Sequence, residues 1–152
     1  MGCYRDTVRW ATFVVAIAIA AGACNDLRDF RGDWQGARVG DAPVVRVGAP
    51  TSTSASFSVE ELDANRLVGT LTVDSLITDA QFVSLQGAEA DALASMTFAG
   101  SPLRVFLSFV SVPDGGGDAL VLVALFDDHR IEVRILRGGT APLYAIFAMT
   151  ES

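Results

Sequence analysis

The single histidine of the chain lies in an acidic turn. His129 follows Asp127 and Asp128 and precedes Arg130, so a base stands beside two carboxylates, as in a general-base or metal site. Adjacent residues of a tight turn point in different directions, and they cannot converge on one proton or one ion without partners from elsewhere. The sequence therefore predicts a solvated hairpin turn, with a catalytic or metal site as the alternative.

A second acidic segment, Asp114-Gly-Gly-Gly-Asp118, brings two carboxylates close together around three glycines. The pair suggests calcium, but the segment lacks the regular ligand alternation of an EF-hand loop. Glycine accepts the positive φ of a tight hairpin, and we predict a glycine-rich hairpin here. Serine and threonine are plentiful, yet none stands in a G-x-S-x-G elbow. We expect no enzyme, and therefore no catalytic residue, no metal and no cofactor.

Small residues and a cysteine end the most hydrophobic segment of the chain. Residues 1–9 carry two arginines, and residues 10–20 form an apolar run. This run is shorter than the ~20 residues that a transmembrane helix needs. A basic stretch followed by a short apolar one is typical of a signal peptide, which we predict over residues 1–23.

The four residues Ala21-Gly22-Ala23-Cys24 resemble the lipobox of bacterial lipoproteins. In that family the cysteine thiol receives a diacylglyceryl group, the chain is cut just before the cysteine, and the new amine is acylated. The resemblance implies cleavage between Ala23 and Cys24 and lipidation of Cys24. Family members usually have leucine or another larger aliphatic residue three positions before the cysteine, where this chain has Ala21. An ordinary secretory signal with a coincidental cysteine is the alternative.

Lipidation would determine the cellular location of the protein. Two or three acyl chains on Cys24, at about 0.8 kcal/mol per buried methylene, would hold it stably on a membrane without spanning it. Cleavage would also remove Cys3, the other cysteine. The expected location is the cell envelope, facing the periplasm or the cell surface. Some bacteria use Asp after the cysteine as an inner-membrane retention signal, whereas this chain has Asn25, so we expect the outer membrane rather than the inner.

Charge and composition exclude several partners and mechanisms. The net charge is -7, and all 11 basic residues are arginine. Nucleic-acid binders gain affinity from clustered cations that release counterions, so we expect no nucleic acid. Hydrophobic residues make up 51% and charged residues 19%, which indicates a globular or membrane-attached protein rather than a disordered one. The absence of lysine excludes Schiff-base chemistry on a lysine.

After a short polar tether at residues 24–29, residues 30–152 form a single predicted domain. Strands separated by turn residues dominate it, with hardly any 3.6-residue periodicity. The links are short and rich in Gly, Asp and Asn, which forces successive strands to run antiparallel. The predicted strands cover residues 30–39, 44–47, 56–62, 66–74, 81–85, 95–99, 103–112, 119–127, 130–137 and 143–150.

The strands at 103–112 and 120–126 are apolar on both faces. A single closed core would bury only one of these two faces. A sandwich, or a barrel with a covering segment, accounts for this pattern. An exposed partner-binding face is the alternative.

Gly32-Asp33-Trp34 is the most distinctive motif after the predicted signal. A G-x-W at the start of the first strand of an antiparallel meander is similar to the first signature of lipocalins and related calycins. In that family the tryptophan closes the base of the barrel, and an arginine from the last strands packs over it. The resemblance implies that Arg134 or Arg137 lies over Trp34 as a cation over an indole face. This arrangement would be structural and names no ligand.

The predicted fold is all-β: a single antiparallel up-and-down barrel, calycin-like, of roughly eight to ten strands, with a β-sandwich as second choice. Small barrels are often filled by their own side chains, so the fold leaves two functions open. One is a membrane-anchored envelope lipoprotein whose β-domain interacts with another envelope protein or has a structural role. The other is a lipocalin-like carrier of a small apolar ligand.

Overall fold

The computed structural model describes residues 27–39, 53–85, 98 and 100–152. The 3₁₀ helix Leu27–Phe30 is followed by eight strands: β1 (Gly32–Arg38), β2 (Ser54–Leu62), β3 (Leu67–Val73), β4 (Ile77–Val83), β5 (Arg104–Ser111), β6 (Asp118–Phe126), β7 (Arg130–Arg137) and β8 (Leu143–Glu151). They form one antiparallel sheet in the order β4-β3-β2-β1-β8-β7-β6-β5. This up-and-down sheet is nearly closed into a barrel, and the predicted fold class is confirmed.

Alternation along the strands separates the inside of the barrel from the outside. In β8 the odd-numbered residues from Leu143 to Met149 are buried, and the even-numbered residues between them are partly exposed. Successive side chains of a strand point to opposite faces, so this period of two places one set in the core. β1 pairs with β8 and thereby joins the two four-stranded halves, β1–β4 and β5–β8.

The strand predicted at 81–85 begins earlier, because β4 spans Ile77–Val83. Thr78 and Asp79 are exposed, so the first half of the strand lacks the apolar alternation that predicts a strand. Asp79 has φ 46° at an irregularity between β3 and β4. Its N–H donates to the hydroxyl of Thr72, which donates back to its carboxylate, at 3.1 and 3.0 Å. Side-chain hydrogen bonds thus support the strand where its pairing is irregular.

One continuous apolar cluster, to which all eight strands contribute, fills the interior. A side chain lining a water-filled cup would keep exposed surface. The largest inward side chains are instead less than 2% exposed, so protein atoms surround them: Trp34, Phe57, Phe82, Phe147, Leu67, Leu71, Leu125, Ile131, Ile135 and Met149.

Several sequence predictions lie outside the described residues. These are the signal peptide at 1–23, its cleavage site at Ala23, the lipidated Cys24, the strand at 44–47 and all of the strand at 95–99 except Phe98. The predicted tether at 24–29 overlaps the described part at 27–29. There the chain forms the 3₁₀ helix, and Leu27 packs against the interior cluster.

Candidate functional site

Trp34 lies at one end of the barrel, beside the turn between β6 and β7. Its indole stacks on Phe30 of the 3₁₀ helix with ring centroids 5.8 Å apart, and the ring of His129 lies 5.1 Å away. The indole N–H donates to the carbonyl oxygen of Phe30 at 3.0 Å, so the polar atom of this buried ring is satisfied. Gly32 has φ 130°, which a residue with a side chain rarely adopts. The helix, the turn and Trp34 together occupy this end.

Neither arginine suggested as a partner of Trp34 lies over the indole. Arg134 lies on the outer face of β7, where its guanidinium carbon is 4.2 Å from the centroid of the Phe98 ring and its Nε donates to Glu132 at 2.5 Å. This part of the prediction is wrong because the odd-numbered residues of β7 point inward. Arg134 must then point outward.

Arg137 has the inward orientation but lies at the opposite end of the barrel, so the prediction is wrong for it as well. β7 starts at the Trp34 end and finishes with Arg137. Nη1 and Nη2 donate to the two carboxylate oxygens of Asp114 at 2.8 and 2.7 Å, and Nε donates to the carbonyl oxygen of Ala141 at 2.8 Å. Among the described residues, Gly32 begins β1 and Trp34 is buried, but neither of the two expected arginines covers the indole.

The Arg137–Asp114 pair is buried, with side chains 4% and 8% exposed. The hydrogen bond to Asp114 raises the pKa of Arg137 above its ordinary value, and the charge of Asp114 adds to this against the opposing effect of burial. Gly116 donates its N–H to the same carboxylate at 2.7 Å. A Cβ at Gly116 would lie 2.6 Å from the guanidinium carbon. The glycine-rich hairpin thus folds around the guanidinium and occupies this end of the barrel.

That hairpin links β5 to β6 as the sequence predicts, with Gly115 at φ 78° and Gly117 at φ 84°. The two aspartates considered for calcium do not act together. Both carboxylate oxygens of Asp114 accept from Arg137, whereas Asp118 is exposed at the start of β6.

The acidic turn around His129 links β6 to β7. His129 has φ 56°, and its Nε2 lies 3.1 Å from a carboxylate oxygen of Glu151 on β8. Asp128 pairs with Arg130 at 3.3 Å. The imidazole therefore meets a carboxylate from a distant strand rather than from its own turn. Sequence reasoning missed its contact with Trp34, because nothing in the order of residues places this turn beside the N-terminal helix.

The outer surface has two chemically different parts. Over β1, β2 and β3 an open groove of about 600 Å³ is lined by small and polar residues, among them Gln35, Ser56 and Thr72. Over β5, β6 and β7 the outward side chains form a second apolar cluster, and Phe98 packs on Phe126 with ring centroids 6.1 Å apart. The buried members of this cluster are Val105, Leu107, Leu122, Ala124 and Phe126. Apolar residues on both faces of β5 and β6 thus serve two clusters, one inside the barrel and one outside.

β4 and β5, the two ends of the sheet, meet along a seam. The N–H of Leu85 donates to the carbonyl oxygen of Leu107 at 2.8 Å, and the hydroxyl of Ser108 donates to the carbonyl oxygen of Val83 at 2.7 Å. Among the described residues no other backbone hydrogen bond crosses from β4 to β5. Beside the seam, Val83, Leu85 and Phe109 are 45%, 49% and 60% exposed. The barrel is least complete here, and large apolar side chains meet solvent.

Metal-ligand clusters and long helices are both absent from the described part of the chain. It contains no group of three or more His, Cys, Asp or Glu side chains placed to hold a metal ion. Its one helix, the 3₁₀ turn at Leu27–Phe30, is too short to cross a membrane. No protein-family model, curated protein or solved structure matched this chain.

Proposed function

We propose that this chain is a bacterial envelope lipoprotein, anchored through acyl chains on Cys24, whose β-barrel binds another envelope protein and catalyses no reaction. The small residues from Ala21 to Ala23, placed between an apolar run and Cys24, support the anchor. Cleavage before Cys24 leaves the first described residue, Leu27, three positions from the acylated cysteine. The barrel would therefore sit close to the membrane surface, on the outer membrane in our proposal.

The filled interior is the observation that carries the interaction role. A carrier of an apolar ligand needs an open apolar pocket of roughly 300 to 1,000 Å³. Trp34, Phe57 and Phe147 come from three neighbouring strands and are at most 1% exposed. Trp34 occupies one end of the barrel, and the Arg137–Asp114 pair occupies the other. Recognition is then left to the outer surface, where exposed apolar residues flank the seam.

Replacing Cys24 with serine should move the protein from the detergent phase to the aqueous phase, because the acyl chains supply the membrane affinity. Metabolic labelling with a fatty acid should disappear in the same variant. Cys3→Ser is the matched control, since Cys3 leaves with the signal and its loss should change neither result. A Cys24→Ser protein that still fractionates with membranes after a high-salt wash would contradict the lipid anchor.

Fluorescence of Trp34 should stay constant when fatty acids, sterols or quinone-like probes are added to the purified mature protein. Trp10 leaves with the predicted signal, so Trp34 is then the sole tryptophan. Its burial predicts blue-shifted emission, and a filled interior gives the probes no place to quench it. The Trp34→Phe variant supplies the blank for emission from the probes themselves. A saturable response at fixed stoichiometry would instead favour the apolar-ligand carrier.

A further inference from the structure

We propose that the β5 edge of the seam is a docking site for an extended segment of a partner protein, which adds to the sheet as a strand. The inference rests on the proposed interaction role and names its surface. Strand addition combines backbone hydrogen bonds along a sheet edge with contacts to every second side chain of the guest. The seam offers both kinds of contact.

The backbone of β5 supplies the hydrogen-bonding groups. The carbonyl oxygen of Leu107 accepts from Leu85, so the backbone groups of Leu107 point toward β4. In an antiparallel sheet the N–H and C=O of one residue point to the same side of the strand, and alternate residues repeat that direction. The N–H and C=O of Phe109 and Ser111 therefore face the seam, while those of Val110 face β6.

The hydroxyl of Ser108 lies where the pairing stops. In a continued antiparallel ladder the N–H of Phe109 would donate to the carbonyl oxygen of Val83. The hydroxyl of Ser108 donates to that oxygen instead, at 2.7 Å. Among the described residues neither Phe109 nor Ser111 donates its N–H across the seam. Within the part of the chain that the structure describes, these donors and their neighbouring carbonyl groups are left for a guest strand.

The outward side chains supply the apolar surface that the side chains of a guest strand would contact. Phe109 is 60% exposed, and Val83 on the other side of the seam is 45% exposed. Leu120, the partner of Phe109 on β6, is partly buried and belongs to the outer apolar cluster. A strand laid along β5 would place alternate side chains over this apolar surface and remove it from water.

β5 is the receptive edge, and β4 is the protected one. Proteins discourage pairing at sheet edges with charged side chains and bulges. β4 has both, because Asp79 is charged and distorts the strand with φ 46°. The part of β5 from Ser108 to Ser111 carries no charge and has no residue with positive φ.

The negative charge at the seam indicates which kind of segment would bind there. Asp118 is exposed and pairs in register with Ser111, and Asp79 is exposed across the seam on β4. The chain as a whole carries a net charge of -7. An antiparallel guest would bring its own N-terminal end to this acidic part of the seam. The occupant is therefore an extended protein segment with apolar residues at alternate positions and an arginine or lysine at its N-terminal end.

Single-residue hydrogen exchange on the lipidated mature protein in detergent micelles tests this directly. In the free protein the amides of Phe109 and Ser111 should exchange roughly 100-fold faster than that of Val110, which faces β6. The probe is a short synthetic peptide of alternating valine and threonine that begins with arginine. At saturation it should slow exchange at Phe109 and Ser111 by about tenfold or more and leave Val110 unchanged.

Two variants of the experiment isolate strand addition. Ser111→Pro removes an N–H that faces the seam and should weaken peptide binding about tenfold, whereas Ser111→Ala keeps the N–H and should bind like the parent. Should the proline variant unfold, the same hydrogen bonds can be tested on the unaltered protein with a peptide N-methylated on the residues that face β5. That peptide should not protect Phe109.

Four results would overturn the proposal: slow exchange of Phe109 in the free protein, no protection by the peptide at any concentration, protection on a different strand, or protection that grows with protein concentration alone. The last would mean that a second copy of this chain fills the seam. Failure here is distinguishable from failure of the proposed function. The Cys24 and Trp34 experiments report on the anchor and the interior, and neither measures the seam.

Discussion

Replacing Asp114 with alanine should lower the free energy of unfolding by about 3 to 5 kcal/mol, the usual cost of leaving one charge of a buried ion pair without its partner. The guanidinium of Arg137 would remain inside the end of the barrel, where its side chain is 4% exposed. It would lose two hydrogen bonds of 2.7 and 2.8 Å. Urea unfolding of the mature protein, followed by Trp34 fluorescence, gives the free energy directly.

A double variant tests whether the unpaired buried charge causes the loss of stability in Asp114→Ala. Asp114→Ala combined with Arg137→Met removes both charges, and it should recover most of the loss because an apolar replacement of a buried pair is often neutral. Asp128→Ala is the matched control: its pair with Arg130 is exposed and should contribute at most about 1 kcal/mol. Equal instability of the single and the double variant would show that the unpaired charge is not the cause.

The pKa of Arg137 determines how this pair responds to rising pH. The pKa of Arg137 is raised in the folded protein by its hydrogen bond to Asp114. A group with a raised folded pKa contributes fully below its unfolded pKa, and the contribution is lost only as pH rises through the folded value. For an arginine that window is strongly alkaline. The charge of Arg137 therefore keeps the pair intact from neutral to mildly alkaline pH.

Local pattern was enough to predict most of the barrel. The strand predicted at 130–137 is β7 with the same bounds, because apolar residues alternate there between a turn with two Asp and a turn with two Gly. β4 was predicted too late because Thr78 and Asp79, which follow its first residue Ile77, are polar and exposed and its pairing is irregular. A bulge depends on the facing strand, which a single stretch of sequence does not reveal.

The candidate sites depend on contacts between residues far apart in the chain. The sequence places Arg134 and Arg137 on β7, but it does not reveal which of them points inward or which end of the barrel each reaches. The partner of Arg137 is Asp114, 23 positions earlier, and the partner of His129 is Glu151, 22 positions later. The seam could not be predicted from the sequence either, because it arises where β4 and β5, the two edge strands of the sheet, meet. Such closure is set by the twist and stagger of all eight strands together.

Gly36→Ala should lower the free energy of unfolding by about 3 kcal/mol or more, at the upper end of the usual cost of overpacking. A Cβ at Gly36 would overlap the carbonyl oxygen of Ala148 and lie 2.9 Å from the Cα of Met149. Both obstacles are backbone of β8, so no side chain can turn away to relieve them. The strands themselves would have to separate at the β1–β8 pairing, which joins the two halves of the sheet.

Two other glycines serve as controls for Gly36→Ala. A Cβ at Gly138 meets nothing within 4 Å, and Gly138→Ala should change stability by at most about 0.5 kcal/mol. Gly69→Ala would meet the carbonyl oxygen of Ser58, so it should destabilise pairing within one half of the barrel. Hydrogen exchange should then quicken along β1 and β8 for Gly36→Ala, and along β2 and β3 for Gly69→Ala. A Gly36→Ala protein as stable as the parent would mean that β1 and β8 do not approach this closely, and that the two halves of the sheet are not joined through them.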